Sequence, residues 1–112
     1  MTPTEFKKFL QRDAHCLHCG ATGDELVPQH RLNRGIGGKN SRASSSANII
    51  VFCSYGNGLM ESDAAFADVC RVSGWKLQSW QNPNETPVFD SVLQQWFLLD
   101  DRFGKTPINE AI

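Results

Sequence analysis

The sequence predicts one α+β domain, in which a helix, two strands and a second helix precede a small antiparallel sheet. A helix-capping pattern opens the chain, two apolar runs flank a long polar stretch, and short apolar segments alternate with turn residues near the C-terminus. A length of 112 residues suits a single domain. We expect the domain to span 1–104, with a core at about 14–74, strands within 75–99 and a tail at 105–112.

The first predicted helix has a complete N-terminal signal. Thr2 can cap it, Pro3 suits the first helical position, and Glu5 can close a capping box. The periodic pattern fades by Asp13. Its apolar residues fall on one face: Phe6, Phe9 and Leu10.

The central elements are two strands and a helix. Residues 26–31 predict a short strand that brings His30 to its end, and the glycine- and serine-rich stretch 33–48 predicts a long exposed loop. The β-branched run 49–52 predicts a buried strand. Asn57 can cap a helix that Gly74 ends, with an apolar face formed by Leu59, Phe66, Val69 and Cys70.

Three further strands are predicted at 75–80, 87–90 and 95–99, and a loose tail from Gly104. Aromatic residues at strand spacing favour sheet packing over base stacking: Trp75, Trp80, Trp96 and Phe97.

Positive charge is concentrated in one segment of a chain whose net charge is -1. No acidic residue lies between Glu25 and Glu61, whereas that interval holds Arg31, Arg34, Lys39 and Arg42. Such a local excess attracts polyanions, of which phosphodiesters are common in cells. No apolar run is long enough to span a bilayer and no apolar signal core opens the chain, so we expect a cytoplasmic protein without a membrane partner.

The cysteines form a candidate metal site. In a cytoplasmic protein they are better interpreted as thiols or metal ligands than as disulfides. Cys16 and Cys19 have the spacing of half a tetrahedral zinc site, and Cys53 lies where a second half would begin. Gly56 occupies the place of its partner, so a fourth ligand has to come from Cys70, whose spacing favours the core, or from His15 or His18.

A second group of residues suits hydrolytic chemistry. His30 can act as a general base because the free pKa of histidine lies near neutral pH. Asn57 can offer an amide oxygen to a hard cation such as Mg²⁺ or Mn²⁺. Asn48 can fix the loop or orient His30 through its amide.

These positions resemble the signature of the HNH endonucleases, which have the ββα-metal fold. His30, Asn48 and Asn57 match the three signature residues. The resemblance is strongest to small bacteriophage members, in the His30–Gly38 basic glycine loop and in the Cys-Ser-x-x-Asn-Gly-x-x-Glu segment that starts at Cys53. It covers roughly 16–99.

The resemblance implies a divalent metal at Gln29 and Asn57 and a structural zinc held by Cys16, Cys19 and Cys53. Active members have an aspartate or histidine where this chain has Gln29, so two neutral amides predict weak affinity for the divalent ion. The expected DNA contacts are basic: Arg31, Arg34, Lys39 and Arg42.

The sequence therefore predicts a metal-dependent endonuclease that cuts duplex DNA with low sequence specificity. His30 and Asn48 are its expected catalytic residues. The alternative is an HNH-fold protein with weakened catalysis that binds DNA or a protein partner as an adaptor or inhibitor, which the substitution at Gln29 favours. A third hypothesis is a zinc-knuckle protein without affinity for nucleic acid.

Overall fold

A computed structural model describes residues 1–33 and 44–109. It confirms the α+β class: the described residues form three α-helices and two small antiparallel sheets. The elements follow one another as α1 (Pro3–Asp13), β1 (Leu26–His30), β2 (Ile49–Cys53), α2 (Ser54–Ser62), α3 (Ala64–Val72), β3 (Val88–Asp90), β4 (Gln95–Leu99) and β5 (Lys105–Ile108). No helix in these two ranges has the length and apolar character needed to cross a membrane.

Helix α1 has the predicted start, because the hydroxyl of Thr2 accepts a hydrogen bond from the backbone N–H of Glu5 at 3.1 Å. Its apolar face packs on β2 in a cluster that includes Phe9, Ile49 and Val51. The buried carboxylate of Asp13, at the end of the helix, accepts a hydrogen bond from the N–H of Val51 at 3.1 Å. Apolar packing and a polar tether thus join α1 to the central strand.

Strands β1 and β2 form an antiparallel pair in which Leu26 lies opposite Cys53 and His30 opposite Ile49. Every residue of β2 is buried, as the apolar run predicted. Both sheets share one core, because Ile50 and Phe52 of β2 belong to the same apolar cluster as Val88 of β3 and Leu99 of β4. The pair β1–β2 is followed directly by α2, so the chain contains a strand–strand–helix unit.

The single helix predicted between Asn57 and Gly74 is two helices, because Asp63 interrupts it. Asp63 has an extended backbone, and its carboxylate caps α3 by accepting a hydrogen bond from Phe66 N–H at 3.0 Å. The N-cap of α2 is Cys53, not Asn57, which lies inside the helix. Cys70 is buried as predicted, whereas Val69 is exposed.

The second sheet is antiparallel in the order β3-β4-β5, and its membership differs from the prediction. Residues 75–80 form no strand: Trp75 is buried, and Trp80 is 75% exposed. Trp80 is therefore not part of sheet packing. The expected loose tail instead contains β5, which pairs with β4 because the carboxylate of Asp100 accepts hydrogen bonds from Arg102 and Gly104 and reverses the chain.

Arg31 is buried at the centre of the fold, although the sequence predicted a DNA contact there. Only 1% of the residue is exposed. Its guanidinium donates hydrogen bonds to five backbone carbonyls, at 2.7 to 3.4 Å, of Ala47, Gly74, Pro83, Thr86 and Pro87. Burial lowers its pKa to about 9. Because every donor group is turned inward, the structure contradicts a phosphate contact by Arg31 and gives it a tethering role.

Gly74 allows this tether to form. Its φ is +77°, and a Cβ atom there would lie 2.0 Å from the carbonyl oxygen of Pro87. Only glycine tolerates both the left-handed backbone and the close approach. The turn that ends α3 therefore brings its own carbonyl and the segment before β3 to the same guanidinium.

We predict that Arg31→Met lowers the free energy of unfolding by at least about 3 kcal/mol, because buried carbonyls would lose their hydrogen-bond donors. Arg31→Lys should recover only part of this loss, since an ammonium carries fewer donors than a guanidinium. Urea denaturation followed by circular dichroism measures both changes.

Arg71→Met is the matched control, because Arg71 makes an exposed ion pair with Asp68. It should cost no more than about 1 kcal/mol. Equal losses for Arg31→Met and Arg71→Met would contradict the tethering role.

Candidate active site and metal centre

One cavity is lined by the predicted base and by the two amides that were predicted to hold a divalent ion. It has a volume of about 500 Å³, and Gln29, His30 and Asn57 all line it. Gln29 and His30 lie at the end of β1, and Asn57 lies in the first half of α2. Residues 27 positions apart along the chain (30 and 57) thus share one concave surface. The remaining lining residues are Pro28, Arg31, Asn33, Glu61, Lys76 and Leu77.

The backbone that follows His30 is held by Asn48. The buried amide of Asn48 accepts a hydrogen bond from Leu32 N–H at 2.6 Å and donates one to the Leu32 carbonyl at 3.1 Å. The Asn48 carbonyl also accepts from the N–H of Arg31 at 2.8 Å. Three hydrogen bonds therefore fix the chain where it leaves β1, next to the imidazole. Asn48 itself is fully buried and does not line the cavity.

Gln29 and Asn57 are hydrogen-bonded to each other. The side-chain nitrogen of Asn57 donates to the side-chain oxygen of Gln29. The side-chain nitrogen of Gln29 donates to the His30 carbonyl at 2.8 Å and lies 3.3 Å from the sulfur of Met60. The two amides predicted to hold a divalent ion are thus adjacent, and the oxygen of Gln29 is engaged by its neighbour.

Glu61 adds a carboxylate that was not predicted for this site. It follows Asn57 by four residues on α2, so both side chains lie on one face of the helix, and both line the cavity. The ligands predicted for the divalent ion were two neutral amides, Gln29 and Asn57. The i, i+4 spacing of Asn57 and Glu61 was the signal that could have identified it.

Of the four basic residues predicted to contact DNA, only Arg31 belongs to the described part of the chain. Arg31 lines the cavity, but its guanidinium binds backbone carbonyls. Arg34, Lys39 and Arg42 lie outside the described residues. Lys76, which was not among the predicted DNA contacts, lies on the cavity wall.

A second site is formed by Cys16, His18, Cys19 and Cys53. One ligand atom from each lies within 4.8 Å of all the others. Cys16 to Gly20 form a tight turn, closed by a hydrogen bond from Gly20 N–H to the Cys16 carbonyl at 2.9 Å. The turn lies against the central strand, because Leu17 N–H donates to Val51 of β2 at 3.2 Å. The three predicted cysteines therefore meet.

The sulfur geometry suits a tetrahedral metal. The sulfur atoms of Cys19 and Cys53 are 3.7 Å apart, and two thiolates at about 2.3 Å from a tetrahedral zinc are separated by roughly 3.8 Å. The sulfur of Cys53 also accepts a hydrogen bond from Gly56 N–H at 3.2 Å at the start of α2. This hydrogen bond fixes the position of the Cys53 sulfur at the N-terminus of the helix.

His18 is the fourth member of this cluster, among the alternatives that the sequence left open. Cys70 is fully buried in the apolar core, and His15 is engaged with the carboxylate of Asp90 at 2.9 and 3.0 Å. In the described part of the chain, Nδ1 of His18 is the one buried side-chain nitrogen or oxygen that has no hydrogen-bond partner. A buried imidazole nitrogen without a partner is costly unless a ligand satisfies it.

The ionisation of these groups also fits a bound cation. Burial lowers the pKa of His18, which favours the neutral ring that binds metals. Burial raises the pKa of the Cys16 thiol to about 12. A thiol in such surroundings releases its proton readily only when a nearby cation compensates the charge. The four residues therefore form a Cys₃His set that could hold zinc, a metal such sets commonly bind.

Comparisons with protein-family models, with curated proteins and with solved structures find no match for this chain.

We predict that the protein purified without added zinc contains about one zinc ion per chain. Cys19→Ser and Cys53→Ser should each lower this stoichiometry severalfold, because each removes a thiolate from the set. Cobalt substitution should produce the absorption bands of a site with three thiolates and one imidazole, and His18→Gln should change them. Elemental analysis and visible absorption provide the measurements.

Cys70→Ala is the control, since this thiol lies in the apolar core and outside the cluster. It should leave the zinc content unchanged. A wild-type stoichiometry near zero would show that the cluster consists of reduced thiols without metal.

Proposed function

We propose that this protein is a metal-dependent endonuclease of the HNH type, which hydrolyses phosphodiester bonds in DNA. The observation that carries the proposal is the shared cavity of His30, Asn57 and Glu61. It joins an imidazole that can act as a general base to an amide and a carboxylate that can bind a divalent ion, and these groups can together support hydrolysis of a phosphodiester.

The order of the elements supports a ββα-metal unit as the core. Antiparallel strands β1 and β2 are followed directly by α2. His30 ends the first strand, Asn48 precedes the second, and Asn57 lies on the helix. The three signature residues thus lie in or beside the elements of this strand–strand–helix unit, which supports the proposal.

In this proposal His30 accepts a proton from the water that attacks phosphorus. Its imidazole is half-buried at the cavity wall, accessible to substrate yet restrained by the strand that carries it. Asn48 would act indirectly, because its side chain binds the backbone of Leu32 and so fixes the direction in which the chain leaves His30. Asn48 is accordingly a positioning residue.

The oxygen donors on α2 fit a hard divalent ion such as Mg²⁺ or Mn²⁺. Glu61 supplies an anionic oxygen, and Asn57 supplies an amide oxygen, because its nitrogen is the atom that points to Gln29. When bound, such an ion stabilises negative charge on the phosphate and on the leaving oxygen. Gln29 is less suited as a ligand, since its oxygen already accepts a hydrogen bond from Asn57.

A second candidate function is a binding module with weakened catalysis, acting on DNA or on a protein partner as an adaptor or inhibitor. The contact between Gln29 and Asn57 favours it, because two amides that satisfy each other need no ion between them. The nuclease proposal is preferred because Glu61 and His30 line the same cavity. The hydrogen bond between Gln29 and Asn57 involves neither of their side chains.

We predict that the protein nicks supercoiled plasmid when Mg²⁺, Mn²⁺ or Ni²⁺ is present. His30→Ala should slow nicking by at least about 10²-fold, since general-base catalysis contributes on this scale. Gel electrophoresis of the relaxed plasmid measures the rate.

Gln11→Ala, on helix α1, controls for a mutation outside the cavity and should keep the wild-type rate. Undiminished nicking by His30→Ala would rule out His30 as the base. Retardation of the plasmid without nicking under all three ions would favour the binding module.

We also predict that Glu61→Gln raises the concentration of Mg²⁺ required for half-maximal nicking about tenfold or more, because a neutral amide replaces the anionic donor. Glu85→Gln is a matched control, since Glu85 is exposed and lies outside the cavity. Metal titrations of the two variants should differ; identical titrations would remove Glu61 from the metal site.

A further inference from the structure

Lys76 is a candidate phosphate contact that the sequence did not indicate. A phosphodiester brings a negative charge to the cavity, and hydrolysis adds more charge in the transition state. The basic side chains that line the cavity in the described part of the chain are His30, Arg31 and Lys76. His30 acts as the base in the proposed function, and Arg31 is turned inward towards backbone carbonyls. Lys76 is the remaining cation.

The backbone of Lys76 is held between α3 and the chain that follows His30. Its N–H donates to the carbonyl of Cys70, near the end of α3, at 3.2 Å. The next residue, Leu77, donates its N–H to the carbonyl of Arg31 at 2.7 Å. The backbone of Lys76 is therefore held in place next to the residue that follows His30, so the fold sets the position of Lys76 relative to His30.

The ammonium of Lys76 forms no ion pair with a carboxylate of the described residues. The ion pairs among residues 1–33 and 44–109 involve Arg12, His15, Arg71 and Lys105, and none involves Lys76. Glu61 lines the same cavity without forming an ion pair with Lys76 within 4.0 Å. Lys76 is half-buried at the wall of the cavity.

We propose that Lys76 binds a non-bridging oxygen of the scissile phosphate, so that the cavity has two charged sides. Glu61 and Asn57 on α2 provide the oxygen donors for a cation, whereas Lys76, on the segment after α3, attracts the anion. This inference rests on the proposed function, because it assigns a role within the same cavity. It also replaces the phosphate contact that the sequence predicted for Arg31.

The first test measures DNA binding in the absence of divalent ions, so that it does not depend on cleavage. The dissociation constant of a short DNA duplex is determined at several salt concentrations for wild type, Lys76→Gln and Lys7→Gln. The logarithm of the association constant falls linearly with the logarithm of the salt concentration, and losing one phosphate contact should make this slope shallower by about 0.9. Lys7→Gln removes an exposed lysine of α1 and should keep the wild-type slope.

The second test measures nicking. Lys76→Gln should lower kcat/KM by about 10²-fold, as removal of one charge-stabilising donor does in other enzymes. Lys76→Arg should restore a large part of the rate, because arginine keeps the charge and can bind phosphate. An unchanged zinc content and circular dichroism spectrum establish that each variant is folded.

The outcomes separate this inference from the proposed function. If His30→Ala abolishes nicking but Lys76→Gln keeps both the wild-type slope and rate, the role of Lys76 is wrong and the nuclease stands. If wild type binds DNA without nicking it, the nuclease is wrong, and the salt slope alone decides whether Lys76 contacts phosphate. If wild type neither binds DNA nor nicks it with any of the three ions, both are wrong.

Discussion

The buried guanidinium of Arg31 is the interaction on which the rest of the structure depends. It binds five backbone carbonyls from three separate parts of the chain. One precedes β2 (Ala47), one lies in the turn that ends α3 (Gly74), and three lie in the segment before β3 (Pro83, Thr86 and Pro87). A buried cation without a bidentate carboxylate partner is unusual, but carbonyl dipoles aimed at it provide much of the same stabilisation. Because Arg31 follows His30 directly, the same tether determines where the imidazole lies.

The Cys₃His cluster and the cavity are connected through helix α2. Cys53 belongs to the cluster and caps α2, and Asn57 and Glu61 extend from the same helix into the cavity. A zinc ion bound at Cys53 would therefore fix the start of the helix that carries the proposed oxygen donors. In the proposed function, zinc would order the start of this helix and the divalent ion would take part in the chemistry.

The cavity also separates its charges by element. Carboxylate and amide oxygens come from α2, the imidazole comes from the end of β1, and the ammonium comes from the segment after α3. Hydrogen bonds of Arg31 and Asn48 hold β1 and its exit in place, and the Leu77–Arg31 hydrogen bond connects the third element to them. In the proposed function, such preorganisation would serve the electrostatic stabilisation of a phosphate, because the groups would not need to reorganise during the reaction.

Local features of the fold followed from the sequence alone. The cap at Thr2, the buried strand that starts at Ile49 and the cysteine turn at Cys16 each depend on neighbouring residues, whose spacing and chemistry are visible in the chain. Tertiary structure alone decided that Arg31 is internal, that Trp80 is exposed, and that Glu61 and His18 join the two sites. These outcomes depend on which distant backbone carbonyls, thiols and cavity walls meet. A side chain's partners, unlike its helical or extended spacing, are determined only when the whole chain has packed.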